Sequence, residues 1–323
     1  MPARMAVIGE SRSAEFAIGL MLLAVFMFAS NDALGKWLLG AYSVGQIMFW
    51  RSAAALIILA PYLHRAGWRT LFVVDRPWLH AARAVLLAIE VGAFYLAVSY
   101  MPLADTATFY MATPLFVTAL SVRLLGETVG LRRWTGCAVG FLGVVLILRP
   151  TSAVVSWPAL IALGGSVLFA LALILTRKLK DSSGRTLLVW QLLGALALGG
   201  VALPFAERSP DFGDASLLCL LGAVATIAHV CANRSLQIAP ASVVVPFQYT
   251  MIIWSALLGV LVFGDVPDLL LMAGAALIIG SGLYVFRREQ TLARERRQAP
   301  ASSSAPPSRG LGATRSWRRP PEA

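Results

Sequence analysis

Residues 101–127 read MPLADTATFYMATPLFVTALSVRLLGE, and residues 239–265 read APASVVVPFQYTMIIWSALLGVLVFGD. Both stretches open on a residue followed by proline, Met101-Pro102 and Ala239-Pro240. Both close on glycine followed by an acid, Gly126-Glu127 and Gly264-Asp265. Gly136 recurs in the same register as Gly274, so all three pairs lie 138 residues apart. Each stretch is apolar and about 20 residues long between its ends, enough to cross a hydrocarbon core of roughly 30 Å. Each also carries an internal proline, Pro114 and Pro246. Proline removes a backbone donor and bends a helix. At membrane depth such a break is tolerated where the backbone lines a cavity. The two prolines are not at matched positions, because the register of Pro114 falls on Ile252.

Working outward, the apolar runs predict ten helices, at roughly 16–38, 43–63, 79–101, 104–124, 131–149, 158–177, 186–206, 215–236, 240–262 and 267–286. Five fall in each half. Five is odd, so the second copy enters the membrane from the opposite side. The expected fold is an all-α polytopic membrane protein with ten transmembrane helices arranged as two inverted five-helix repeats. The repeats span 16–150 and 151–286, between a cytoplasmic N-terminus, 1–15, and a disordered basic cytoplasmic tail, 287–323. Residues 1–15 are polar, and the apolar run after them is too long and lacks a small-residue cleavage site, so a retained helix is expected there and not a signal peptide.

Composition agrees with lipid. The chain is 58% hydrophobic and 13% charged, where soluble domains carry about 25% charged residues. The net charge of +11 does not point to nucleic acid, because residues 287–323 alone hold nine Arg against three Glu. With the N-terminus inside, fourteen Lys and Arg before the tail fall on the cytoplasmic side and three, Lys36, Arg149 and Arg208, on the outer side. That asymmetry is the orientation signal of a membrane protein. Cys137, Cys219 and Cys231 all sit in apolar runs with no zinc-like spacing, and the three histidines, His64, His80 and His229, are scattered. No metal site and no cofactor are expected.

Taken together, the residues resemble the EamA-type branch of the drug/metabolite transporter superfamily, over about 16–286. The resemblance rests on Leu124-Leu125-Gly126-Glu127, on the glycine-rich 136–143 segment, and on Phe49-Trp50-Arg51, echoed in the second half by Phe263-Gly264-Asp265 and Trp190-Gln191. The second copy departs in having Asp265 for Glu and Gln191 for Arg. The resemblance implies a transporter. It does not carry over a substrate, because similar members handle amino acids, amines, nucleotide sugars and cofactors such as riboflavin or S-adenosylmethionine.

Charged side chains at membrane depth are costly and need a reason. Asp32 and Lys36 are four apart on one face of helix one, and Arg51 enters helix two from the same side at similar depth. An Asp32–Arg51 contact with Lys36 nearby is expected, either as a structural ion pair or as a substrate or coupling group. Glu90 is the most central acid, with no basic residue within a turn of it. It suits a proton-coupling group, and the plain alternative is a neutral Glu hydrogen-bonded to a neighbour. Around the prolines, Tyr110, Thr113, Gln248, Tyr249 and Trp254, with Trp50 beside Arg51, are expected either to bind an organic solute or to pack helices. Asp105 with Thr106 is read as the cap of helix four, and Glu127 and Asp265 as caps or loop closures. Arg83 is read as an anchor at the cytoplasmic boundary. Gly136 with Gly140, and Ala276 with Gly280, give small-residue faces for packing between halves or, with a slight preference, in a homodimer.

These readings converge on a secondary transporter of a small organic solute, an amino acid, amine or cofactor-like molecule, working by alternating access and coupled to protons or to exchange. A polytopic membrane enzyme on lipid-linked or small substrates is the alternative. No Gly-x-x-x-x-Gly-Lys-Ser/Thr loop appears, so ATP does not drive transport within this chain.

Overall fold

The computed structural model describes residues 2–67, 71–126, 130–148, 156–179, 181–206, 208–239 and 244–298. Among the described residues there is no strand. The helices are α1 (Pro2–Leu38), α2 (Val44–Ala66), α3 (Pro77–Val98), α4 (Leu103–Tyr110), α5 (Thr113–Leu124), α6 (Leu131–Leu148), α7 (Trp157–Lys178), α8 (Gly184–Ala202), α9 (Phe212–Ile238), α10 (Thr250–Leu258) and α11 (Leu269–Gln298). Seven helices or helix pairs are long and apolar enough to cross a membrane, and three shorter apolar helices, Trp134–Leu148, Phe247–Phe263 and Leu269–Tyr284, accompany them. Their outward faces carry large apolar side chains such as Ile57, Leu142, Val201 and Leu261. So extensive an exposed apolar surface belongs in lipid.

The ends of the helices follow from local chemistry. Ser43 accepts from the Gln46 backbone and Gln46 reaches back to Ser43, a capping box that starts α2. Ser183 caps α8 through the Thr186 N–H, and Asp211 caps α9 through the Asp214 N–H. Asp105 lies in the first turn of α4, where an acid meets the positive helix end. Gly126 and Gly264 both have positive φ, 68° and 71°, which is why glycine stands at both of these matched positions.

The proline-bearing helices are broken. The span predicted as one helix at 104–124 is split by a turn at Met111-Ala112, with Pro114 in the first turn of α5. Its counterpart is more irregular: a 3₁₀ turn at Val245–Tyr249, then α10, then a π-turn at Gly259–Phe263 that ends on left-handed Gly264. Two expected boundaries move. The last helix does not end at 286 but continues to Gln298, into the segment read as tail. Residues 299–323 lie outside the described residues, as do Glu127 and Pro240. At the other end α1 begins at Pro2, so helix also covers the segment expected to precede it.

Packing joins the first half to the second throughout. α1 packs along α9, α3 along α7, α2 along α8, and α6 along α11; α2 also meets α9, α3 meets α8, α1 meets α10, and α5 meets α7. The contact pattern maps onto itself when the halves exchange places: α1–α9 becomes α7–α3, and α2–α9 becomes α8–α3. The backbones of α6 and α11 come close together: a Cβ on Gly143 would fall 2.7 Å from the Gly274 carbonyl and one on Gly274 would fall 2.8 Å from the Gly143 carbonyl. Gly140 is likewise filled from within the chain, by Leu115 and Ser281. The small-residue face of α6 is therefore used at least in part for packing within the chain.

Candidate functional site

A cavity of about 290 Å³ lies where α1, α2, α3 and α4 of the first half meet α7, α8, α9 and the 3₁₀ turn of the second. Its charged lining is Asp32, Arg51 and Glu90, and its neutral polar lining includes Asn31, Tyr110, Gln191, His229 and Gln248. Phe28, Phe94 and Phe169 supply aromatic wall. His229 stands edge-on to Phe28 with ring centroids 4.8 Å apart, and Phe94 is edge-on to Tyr110 at 5.2 Å.

The lining repeats. Seven lining residues come from the second half, and five of them have a lining residue 138 positions earlier: Asn31 with Phe169, Leu87 with Ala225, Val91 with His229, Phe94 with Ala232, and Tyr110 with Gln248. The offset that relates loop motifs also relates the residues around the cavity.

The structure sorts the expected site residues into three groups. Asp32, Arg51, Glu90, Tyr110 and Gln248 share the cavity. The expected Asp32–Arg51 ion pair is not formed. Arg51 Nη1 instead donates to the Tyr95 hydroxyl at 2.8 Å. Tyr95 is fully buried and fills the space left by Gly35, so α3 and α1 together fix the point to which Arg51 is tied. Glu90 is not isolated from basic groups, because Arg51 faces the same cavity, and its backbone carbonyl accepts from the Tyr110 hydroxyl at 3.2 Å.

Lys36 is the second group, and it leaves Asp32. Its Nζ pairs with Asp265 Oδ2 at 2.8 Å, donates to the Met101 carbonyl at 3.2 Å, and sits 4.6 Å from the Phe263 ring centroid. Asp265 thus closes a contact between the halves. The long lysine stem lets one face of α1 serve two places: Asp32 stays at the cavity and the ammonium reaches past the helix end.

Trp50, Thr113, Tyr249 and Trp254 form the third group and do not line the cavity. Trp50 is edge-on to Phe49, Trp254 is edge-on to Phe26, and Tyr249 packs against Gly282. The indole nitrogens of Trp50 and Trp254 and the Thr113 hydroxyl are buried with no hydrogen-bond partner. Three polar residues outside the expected set line the cavity, Asn31, Gln191 and His229, and a fourth, Tyr95, holds Arg51 without lining it. Asn31 donates to the Leu221 carbonyl at 2.6 Å and joins α1 to α9. For Gln191 a signal existed, its match to Arg51 in the second repeat. For Tyr95 there was none.

Both ends of the bundle are tied across the halves. Beside Lys36–Asp265, the Tyr42 hydroxyl donates to Asp214 in a short bond, and Gln46 donates to the Arg208 carbonyl at 2.6 Å. The Asp214 carboxylate raises the pKa of the Tyr42 phenol. At the opposite end Arg83 donates to Thr176 Oγ1 at 2.6 Å and to the Leu187 carbonyl at 3.0 Å, and His80 meets Ser182 Oγ at 3.1 Å. Arg83 therefore ties α3 to the helices α7 and α8. Among the described residues no group of three His, Cys, Asp or Glu is placed to hold a metal.

Comparisons with known proteins bear on this arrangement. Residues 15–149 and 156–287 each match the EamA-like transporter family. The chain is 30% identical over 283 residues, 86% of its length and 93% of the relative's, to a riboflavin transporter of Rhizobium johnstonii. It is 25% identical over 281 residues, 85% of its length and 95% of the relative's, to an S-adenosylmethionine uptake transporter of Rickettsia bellii. A protein of known crystal structure superimposes with a TM-score of 0.57 at 17% identity, over 90% of this chain and 99% of that one, a likeness of fold alone. Two successive family matches covering most of the chain, on a multi-pass helical fold, establish that this protein belongs to the EamA-like transporter family and is a membrane transporter of a small metabolite, not an enzyme.

Proposed function

We propose that the chain is a secondary transporter built of two inverted five-helix repeats, ten transmembrane helices with both termini cytoplasmic, and that its solute binds in the cavity between the halves. The observation that carries this reading is the cavity lining, which recurs at an offset of 138 residues in five of the seven second-half positions. The contact pattern that survives exchange of the halves supports it further, as do the discontinuous helices in corresponding places. Broken helices at matched positions are the mark of a transporter site, and alternating access then follows from rocking about the fixed cavity. The orientation rests on the fourteen-to-three count of Lys and Arg on the two sides.

Asp32, Arg51, Glu90, Tyr110 and Gln248 are the residues proposed to meet solute, together with Gln191 and His229. Glu90 is proposed as the group that takes up and releases a coupling proton. The relatives' solutes, riboflavin and S-adenosylmethionine, both carry a heteroaromatic ring, and an aromatic-walled cavity with scattered hydrogen-bonding groups suits a solute of that kind. Purified protein in liposomes loaded with an unlabelled solute tests the reading. Labelled solute should accumulate by counterflow for at least one amino acid, amine, flavin or nucleoside compound. A protein that exchanges none of them refutes it. Glu90→Gln should retain exchange while losing proton-driven accumulation, and a variant that still accumulates solute on a proton gradient removes Glu90 from coupling.

A further inference from the structure

We infer that the cavity is built for a zwitterion: a ring-bearing solute whose anionic group lies on Arg51 and whose cationic group lies between Asp32 and Glu90. This rests on the transporter reading above and narrows its solute.

Three charged side chains line the cavity, two acids and one guanidinium. Charges at membrane depth normally pair with one another. Here they share a cavity, yet neither acid forms an ion pair with Arg51 among the described residues. What holds Arg51 is a neutral phenol, Tyr95, through one of its five N–H donors. Tyr95 is fully buried against Gly35 and cannot follow Arg51 elsewhere. The geometry keeps a positive and a negative pole apart inside one cavity. The remaining cation on α1, Lys36, is spent on Asp265 and the Met101 carbonyl and does not line the cavity.

The rest of the polar lining is amide, phenol and imidazole, which orient a solute without neutralising a full charge. A guanidinium fork matches a carboxylate in a bidentate pair, and two carboxylates suit an ammonium or another onium group. A solute with only a cation leaves Arg51 unpaired. A solute with only an anion leaves both acids unpaired, and a neutral solute leaves all three. Only a zwitterion answers both poles, while Phe28, Phe94, Phe169 and Tyr110 cover its ring.

Matched compounds test this on the full-length protein. Thermal unfolding is followed against phenylalanine, phenethylamine and 3-phenylpropionate, and against S-adenosylhomocysteine and 5′-methylthioadenosine. Each set keeps the ring and varies the charges. The expected result is that at least one zwitterion binds ten-fold or more tightly than its singly charged or neutral analogues. In Arg51→Gln the advantage of the zwitterion over the cation should fall to about one, and in Asp32→Asn its advantage over the anion should shrink likewise. Arg51→Lys, which keeps the charge but loses the fork, should keep a reduced preference for the zwitterion, and an unchanged unfolding temperature of each variant without solute guards against a folding artefact. Equal binding of a neutral or singly charged analogue overturns the inference, and so does failure of both zwitterions to bind. If riboflavin or another solute without the two charges then exchanges in counterflow, the zwitterion inference alone has failed. If nothing exchanges, the transporter reading beneath it has failed as well.

Discussion

Lys36 offers the sharpest perturbation, because it ties α1 to the far half at one end of the cavity. In Lys36→Met the ammonium is lost and Asp265 keeps its charge without its partner. The side chains of Lys36 and Asp265 are 15% and 27% exposed, so the pair is neither open to water nor sealed from it. An exposed pair is worth about 0–1 kcal/mol, and breaking a buried one costs about 3–5 kcal/mol. An intermediate figure of about 2 kcal/mol follows, and loss of the Phe263 contact adds about 0.5–1 kcal/mol. If the tie exists only while this end is closed, the whole of that energy shifts the balance toward opening, by about 60- to 140-fold at 1.4 kcal/mol per decade. The assay is the labelling rate of a single cysteine, Leu103→Cys, in a background lacking Cys137, Cys219 and Cys231, by a membrane-impermeant maleimide. Leu103 is fully buried two residues from Met101, which accepts from Lys36, so it reports opening at this end. Labelling should rise at least ten-fold in Lys36→Met and stay at the parental rate in Lys36→Arg. A lowered unfolding temperature with an unchanged labelling rate would mean that the pair supports the fold in every state, and the reasoning would be refuted.

Three further outcomes are expected. Tyr95→Phe removes the acceptor of an Arg51 hydrogen bond at 2.8 Å; a bond to a charged group is worth about 1.5–3 kcal/mol, less where cavity water can replace it, so the KM for a transported solute should rise about five- to ten-fold with a small change in thermal stability. Gly222→Ala places a methyl against the Arg51 backbone carbonyl and 3.0 Å from Ala54 Cβ; backbone cannot yield as a side chain tip does, so the cost should reach on the order of 3 kcal/mol, read as a lowered unfolding temperature, whereas Gly164→Ala, with open space around it, should leave stability unchanged. With Asp32, Arg51 and Glu90 all ionised the cavity carries one net negative charge, which a zwitterion leaves in place and one bound proton cancels; uptake into proteoliposomes should therefore speed up under an inside-negative potassium diffusion potential, and indifference to the potential would remove the proton from the transported complex.

The duplicated pattern was legible because it is written in backbone demands. A left-handed turn requires glycine, so Gly126 and Gly264 mark the same place in each half. A proline cannot continue a helix undisturbed, so Pro114 and Pro246 announced the breaks. Depth was legible too: counting along α1 and α2 brought Asp32 and Arg51 to one level, Glu90 was read as the most central acid, and all three do line one cavity. What the sequence withheld was direction around each helix axis. Trp50 adjoins Arg51, yet its indole is packed away from the cavity, because neighbours along a helix point about 100° apart and only the packing decides which one faces inward. Partners distant in the chain were hidden for the same reason. Asp265 lies 229 residues from Lys36, and no local spacing rule joins them.

The imbalance between the halves bears on mechanism. Matched positions place Tyr110 opposite Gln248 and Val91 opposite His229, so the second half lines the cavity without a carboxylate or guanidinium where the first half has Glu90 and Arg51 nearby. Exchange of the halves preserves the helix contacts but not the charges. A scaffold symmetric in packing can reach two mirror-related shapes at similar cost, because each contact broken on one side is matched by one made on the other. The charges, held in one copy, stay at the middle of that motion. Arg83 supplies the corresponding test at the opposite end. Its bonds to Thr176 Oγ1 and the Leu187 carbonyl tie the first half to the second as Lys36–Asp265 does. If the two ties oppose each other, Arg83→Leu should lower the labelling rate of the Leu103→Cys reporter where Lys36→Met raises it, and the double variant should return it toward the parental value. A change in the same direction in both single variants would mean that the ties hold one rigid body together, and the alternation of two shapes about the cavity would lose its structural basis.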